Sequence, residues 1–130
     1  MLTRVVDGFG SNRGSYLLST TCPGPTAAPT PAPPPGQIAV QGSVACGTAI
    51  TGNSATGTNV VGTGSAPEHW WRFVAPTSGS YTFNSCGSSY DTYIHIYNRT
   101  NSTAYGNRIA TCDDCGPCGL RTVLTVQLLA

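Results

Sequence analysis

The stretch Trp70–Tyr97, WWRFVAPTSGSYTFNSCGSSYDTYIHIY, holds the densest run of aromatic and β-branched residues in the chain, broken by turn signals. Ala75–Gly79 (APTSG) delivers the chain into Ser80–Ser85, where Tyr81 and Phe83 fall on one face of a strand and Thr82 and Asn84 on the other. Cys86–Tyr90 forms the next turn. In Asp91–Tyr97 the residues Thr92, Ile94 and Ile96 share the face expected to meet the core, which leaves Tyr93, His95 and Tyr97 on the opposite face. A period of two over segments this short predicts strands.

The same texture extends outward. Gln37–Val44, Thr48–Gly52, Trp70–Val74 and Thr122–Leu128 read as strands, the last with Leu124, Val126 and Leu128 on one side. Short strands, frequent turns and no helical periodicity predict an all-β fold, an antiparallel β-sandwich of jelly-roll-like form. Ahead of it, residues 1–22 read as a strand pair: Val5 and Val6, a Gly-rich turn over Asp7–Gly14, then Ser15–Thr21 with Tyr16 and Leu18 alternating. Between the two, Pro23–Pro35 (PGPTAAPTPAPPP) has seven prolines in thirteen residues. That density forbids helix and sheet and predicts a stiff polyproline II linker, rising about 3.1 Å per residue. The chain therefore divides into 1–22, 23–35 and a sandwich domain, 36–130.

Composition sets the setting. One domain of this length can bury a workable core. Six Arg, no Lys and five acidic residues give a net charge of +1, with no basic run to suit nucleic acid. No segment approaches the roughly 20 apolar residues of a membrane span. Six cysteines (Cys22, Cys46, Cys86, Cys112, Cys115 and Cys118) form an even set in a short chain, which points to disulfides and an oxidising compartment, with fifteen pairings open. Zinc is the lesser reading of Cys112, Cys115 and Cys118, because no paired second knuckle follows them. The opening MLTRVVDGFG has no apolar core of a signal peptide, so these residues are expected to be a piece of a longer secreted protein or one whose leader is missing.

At WWRFVAPTSGSYTF, CGSSYDTYIHIY and CDDCGPCGLRTVLTVQLLA the sequence resembles the pre-peptidase C-terminal (PPC) family of secreted β-sandwich modules and their tandem repeats in algal surface proteins. The likeness covers about residues 40–130, with Phe73, Gly79–Phe83, Tyr90–Thr92 and Asp113–Asp114 in the matching positions. The family continues past a segment like LTVQLLA with two further strands. Here the stretch Val5–Phe9 followed by Gly14–Leu18 looks like that closing pair, displaced to the N-terminus, with Arg4 standing where the family tends to be apolar. A sandwich lacking its last strands exposes unpaired backbone and core. Residues 1–22 either fold back into their own domain or, the favoured reading, complete the preceding subunit or repeat, with Val5, Val6, Tyr16 and Leu18 as the donated strand residues. The resemblance further implies Cys22 with Cys46 across the junction, Cys86 with Cys118, and Cys112 with Cys115 as a tight local bridge.

Modification motifs fit this setting. Asn98-Arg99-Thr100 and Asn101-Ser102-Thr103 are N-glycosylation sequons read as lying in one loop. Pro25, Thr26, Pro29, Thr30, Pro31, Pro33, Pro34 and Pro35 resemble hydroxyproline-rich linkers that carry O-glycans on hydroxyproline and threonine. Asp91, Asp113 and Asp114 are weak candidates for a structural calcium, against the plainer reading that they bond turn and loop amides. No cofactor is otherwise expected. His69 and His95 stand apart from any nucleophile motif, and there is no G-x-S-x-G, H-E-x-x-H or phosphate loop, so no enzyme is expected. The expectation is a structural subunit of an extracellular glycoprotein filament, a cell-surface or flagellar appendage of the mastigoneme type. Its partners would be identical neighbouring subunits or tandem repeats, its glycans covalent. The alternative is a carbohydrate-binding or adhesion module using Trp70, Tyr90, Tyr93, Tyr97 and Tyr105 as a stacking platform.

Overall fold

The computed structural model describes residues 2–24, 40–60, 65–99 and 105–130. Most of the proline tract, and with it Pro25, Thr26, Pro29, Thr30, Pro31, Pro33, Pro34, Pro35 and the sequon residue Asn101, lies outside these. The described residues form nine strands and one short 3-10 turn: β1 (Leu2–Gly8), β2 (Ser15–Thr21), β3 (Val40–Val44), β4 (Ala49–Asn53), the turn Ser54–Thr56, β5 (His69–Phe73), β6 (Gly79–Asn84), β7 (Thr92–Arg99), β8 (Tyr105–Asp113) and β9 (Val123–Leu128). They make a five-stranded sheet in the order β3-β5-β1-β7-β8 and a four-stranded sheet in the order β4-β2-β6-β9. The fold is the expected all-β sandwich. One pairing departs from the antiparallel pattern, β3 running parallel to β5 along an edge.

The N-terminal strands do not pair with each other as a hairpin would. β1 lies inside the larger sheet, antiparallel to β5 and β7, and β2 lies inside the smaller, antiparallel to β4 and β6. The reason lies in the turn, which carries the chain from one layer to the other. Gly8 admits the Asn12 carbonyl where a Cβ would stand only 1.8 Å away, and Gly10 takes a positive φ of 67° that a side chain would disfavour. In this chain both strands therefore complete the sandwich from inside its two sheets.

Alternation builds the core. Tyr16, Leu18 and Thr20 of β2, Tyr81 and Phe83 of β6, and Thr92, Ile94 and Ile96 of β7 are buried. Phe73 meets Tyr81 and Phe83 edge-on, with ring centroids 5.3 and 5.6 Å away, the geometry aromatic quadrupoles favour. Leu124 and Val126 of β9 pack against this cluster and Leu128 is within it. β8 went unread in the sequence because its run, YGNRIATCD, has little apolar alternation; it is an edge strand held by pairing to β7, with irregular register near Tyr97.

Candidate functional site

The paired strands of the five-stranded sheet run along one direction, so that sheet has two distinct ends. β1 finishes, and β5 and β7 begin, at one end, where the register sets Val6 opposite His69 and Gly8 opposite Thr92. Asp7, Glu68, Asp91, Asp113 and Asp114, all five carboxylates of the chain, belong to this end, with Arg13 and Arg121. The other four arginines belong to the opposite half by position: Arg4 is paired with Ile96, Arg72 with Thr3, Arg108 with Tyr97 and Arg99 with Tyr105.

At the acidic end Asp91, Asp113 and Asp114 converge, with a carboxylate oxygen of each lying within 4.8 Å of the others. The bend that brings them together uses Asp114 at φ 56°, a left-handed conformation that Asp tolerates better than most residues. The Cys112–Cys115 disulfide encloses two of the three. Desolvation pushes the carboxyls of Asp91 and Asp113 up, and the charge of Asp114 adds to the effect on both; Arg121 opposes it for Asp91 and His95 for Asp113. Oxygens spread over about twice a calcium–oxygen distance are a set that one hard cation could span.

On the outer face of the five-stranded sheet lies a second polar group. Asp7, at 1 % exposure, and His95, at 0 %, are diagonal neighbours across the β1–β7 pairing, in which Asp7 is opposite Tyr93 and His95 opposite Val5. His95 Nε2 stands 3.6 Å from Asp7 Oδ2, and His95 Nδ1 is 2.7 Å from the Thr111 hydroxyl on β8. The second Asp7 oxygen accepts from the Gly8 amide at 2.7 Å. A hydroxyl, imidazole and carboxylate in line can be a catalytic arrangement, but here the imidazole is sealed from solvent: Nδ1 ties β7 to β8 through Thr111, and Nε2, facing Asp7, makes no hydrogen bond.

The third polar group crosses between the layers. Trp71 Nε1 donates to the Tyr16 hydroxyl at 2.8 Å. That hydroxyl is 2.9 Å from His69 Nδ1, and His69 Nε2 is 3.1 Å from the Thr56 hydroxyl. Burial lowers the pKa of His69 and raises that of Tyr16, against which the Trp71 bond acts. Both shifts keep the pair neutral, as a hydrogen bond from phenol to imidazole requires.

All six cysteines are paired: Cys22 with Cys46, Cys86 with Cys118 and Cys112 with Cys115, the set the resemblance implied. With every thiol oxidised, none is left as a zinc ligand. Three disulfides are compatible with a secreted protein, and no helix among the described residues is long and apolar enough to cross a membrane.

Several expected sites are placed differently from the sequence reading. Asn98 is not in a loop but within β7, opposite Leu2, with its side-chain oxygen buried. His95 and Tyr97 do not face water: both are buried on the outer side of their sheet, where Tyr97 packs with Trp70 and Val40. The aromatic platform is not assembled, because Trp70, Tyr90 and Tyr97 are buried and Tyr93 is half-buried against His95. Asp7 and Thr111 were missed altogether. Asp7 sits at a turn signal, and only the β1–β7–β8 register reveals its partners.

The fold and its oxidised cysteines define a disulfide-braced β-sandwich in which the N-terminal segment supplies one interior strand to each sheet. No family model, curated protein or solved structure matches the chain.

Proposed function

We propose that the chain is a structural subunit of an extracellular filament or surface appendage, assembled head to tail, in which residues 2–22 of one unit seat in the sandwich of its neighbour. The observation that carries this reading is the location of β1 and β2. Each is an interior strand, and all their strand partners come after the proline tract. Take the segment away and both sheets split, β3-β5 from β7-β8 and β4 from β6-β9. A folded sandwich must therefore receive this segment, and a tether rich in proline is a means of delivering it either to its own unit or to the next. The contacts are the same in both cases; only the chain that supplies them differs.

Two further features favour the open, polymeric form. Cys22 closes the donated segment and Cys46 belongs to the receiving sandwich, so their disulfide would become a covalent bond between units. The carboxylates gather at one end and four of the six arginines belong to the other half, an asymmetry that suits repeated stacking in one direction. β2 ends, and the tether leaves, at the arginine end, while β3 re-enters beside Trp70, nearer the acidic end. Glycans on the proline tract and at Asn101 would coat the exposed connections, and a relation to PPC modules of surface proteins fits the same role.

The test is direct. Pure protein under oxidising conditions, imaged by negative stain and run on a non-reducing denaturing gel, is expected to give linear assemblies and a ladder of covalent multimers. The ladder should collapse to one band in the Cys22→Ser variant. Monodisperse monomers at all concentrations would overturn the reading.

A further inference from the structure

Among the described residues β3 and β8 form the edges of the larger sheet, β4 and β9 those of the smaller. An open edge offers unpaired backbone to any extended chain, and folded proteins blunt it with short strands, bulges or charge. Three of these edges are blunted in that way. β3 and β4 have five residues each, and β3 shifts register between Val40 and Gly42. β8 carries Arg108 and Asp113 and is irregular in register against β7. β9 has none of these devices: VLTVQL, followed by Leu129 and Ala130, holds no charge, Pro or Gly and pairs with β6 without a break.

Two hydrogen bonds fix which way this edge faces. The Ser85 amide donates to the Thr122 carbonyl on the β6 side, whereas the Val123 amide donates the other way, to the Cys115 carbonyl of the preceding loop. Backbone groups of successive strand residues point to alternate sides. Those of Thr125 and Gln127 therefore point away from β6, and so do those of Leu129, because the next amide, that of Ala130, still donates to Ser78. Among the described residues these outward amides and carbonyls meet no partner.

We propose that β9 is the contact surface for a second copy of this chain, the two β9 strands pairing antiparallel about a two-fold axis at Gln127. An axis between two residues would set inward side chains opposite outward ones. An axis at Thr125 or Val126 would bring Gln127 or Leu129 of the second copy opposite Val123, whose amide is taken by Cys115 and against which Gly116 packs too closely for a side chain. Of the positions clear of that loop, Gln127 keeps the longest pairing, and about it the edge is its own complement. Gln127 lies opposite Gln127 of the second copy and Thr125 opposite Leu129, all with outward amides and carbonyls, so each pair exchanges two hydrogen bonds. On the inward side Val126 meets Leu128 and Leu124 meets Ala130, which carries the apolar layer from one sandwich into the next. Leu129, 85 % exposed, gains a neighbour, and no like charges meet. This contact is separate from the seat of residues 2–22, and it would join two monomers or two filaments alike.

The experiment uses full-length oxidised protein at low ionic strength, with mass read by light scattering over a range of concentrations and a non-reducing denaturing gel of each sample. The Gln127 side chain is exposed, so Gln127→Lys and Gln127→Glu should fold as the wild type does, which circular dichroism checks, while setting like charges opposite each other at the axis. The wild type should gain mass with concentration, each variant alone should stop at about half the wild-type mass, and an equal mixture of the two should recover it. Three results overturn the proposal: a wild type with the mass of one chain throughout, a mass that neither variant changes, or a loss in each variant that the mixture does not recover. The last would mean that β9 takes a strand other than itself. The gel reads strand donation separately. A covalent ladder beside an unchanged mass in the variants removes β9 pairing alone, whereas a charge-dependent mass without a ladder removes strand donation alone.

Discussion

The two sheets of this sandwich treat their outer faces in opposite ways. The four-stranded sheet turns Ser80, Thr125 and Gln127 to solvent, and Thr21, Thr82 and Thr125 align in one row across three strands. The five-stranded sheet buries Asp7, Glu68, Trp70, Arg72, His95 and Tyr97 on the side away from the core, with Trp70 and Tyr97 rings 5.5 Å apart and Tyr93 and His95 rings 4.2 Å apart. A sheet covered on one face has its register set by one alternation, whereas a sheet closed on both faces has it set twice. The N-terminal segment places one strand in each, so β1 is the more tightly specified of the two.

The largest effect should come from breaking the closed face. His95→Ala empties a fully buried site beside Asp7 and removes the partner of the Thr111 hydroxyl, and truncation of a large buried side chain to Ala typically costs about 2–5 kcal/mol. Chemical denaturation should show a lower midpoint with an unchanged slope. Next comes the covalent tie between layers. Cys22 follows β2 of the smaller sheet and Cys46 follows β3 of the larger, with a sequence separation of 24. Replacing both with Ser should cost about 3 kcal/mol if the loop closes within one chain. If the bond joins two chains, the loss should instead grow with dilution, which denaturation at two protein concentrations will reveal.

Much of this contrast was hidden in the sequence for physical reasons. Tyr81, Phe83, Ile94 and Ile96 alternate with polar neighbours, and their inward direction was legible. In β7 the other face, Tyr93, His95 and Tyr97, has the amphipathic make-up of a wet surface, and nothing local reveals that β1 and β8 bring Asp7 and Thr111 beside it. The acidic group was legible as a set, Asp91 with Asp113 and Asp114, though what brings Asp91 to the other two is the pairing of β7 with β8. The strand character of residues 2–8 could be read from Val5 and Val6, but not its central position, which depends on partners more than 60 residues away.

A smaller effect concerns the end of the closed sheet. The carboxyls of Asp91 and Asp113 are raised in the folded protein, first by desolvation and then by Asp114. The native state thus binds their protons more tightly than the unfolded chain does, so their unfavourable contribution is complete at neutral pH and is relieved as pH falls through their raised range. Asp114→Asn should therefore raise the thermal midpoint at pH 7 in metal-free buffer. The gain should vanish near pH 3, where the carboxyls of the wild type are largely protonated. A gain that persists at low pH would mean that the substitution acts through the turn and not through charge.

The smallest effect belongs to the open face. Thr82 and Thr125 bond each other at 2.9 Å across β6 and β9, and the pair touches water, which replaces the lost partner when either hydroxyl is removed. Thr82→Val keeps the β-branched shape that suits a strand and should change stability by no more than about 0.5 kcal/mol. The Thr82→Val and Thr125→Val double variant should be no worse than the sum of the two single changes. A loss above about 2 kcal/mol for either single variant would contradict the comparison, because an exposed hydroxyl pair has no buried partner to strand. It would mean that this row of threonines is covered in the assembled protein, and measuring the same variants at low and high concentration would show whether a neighbouring unit does the covering.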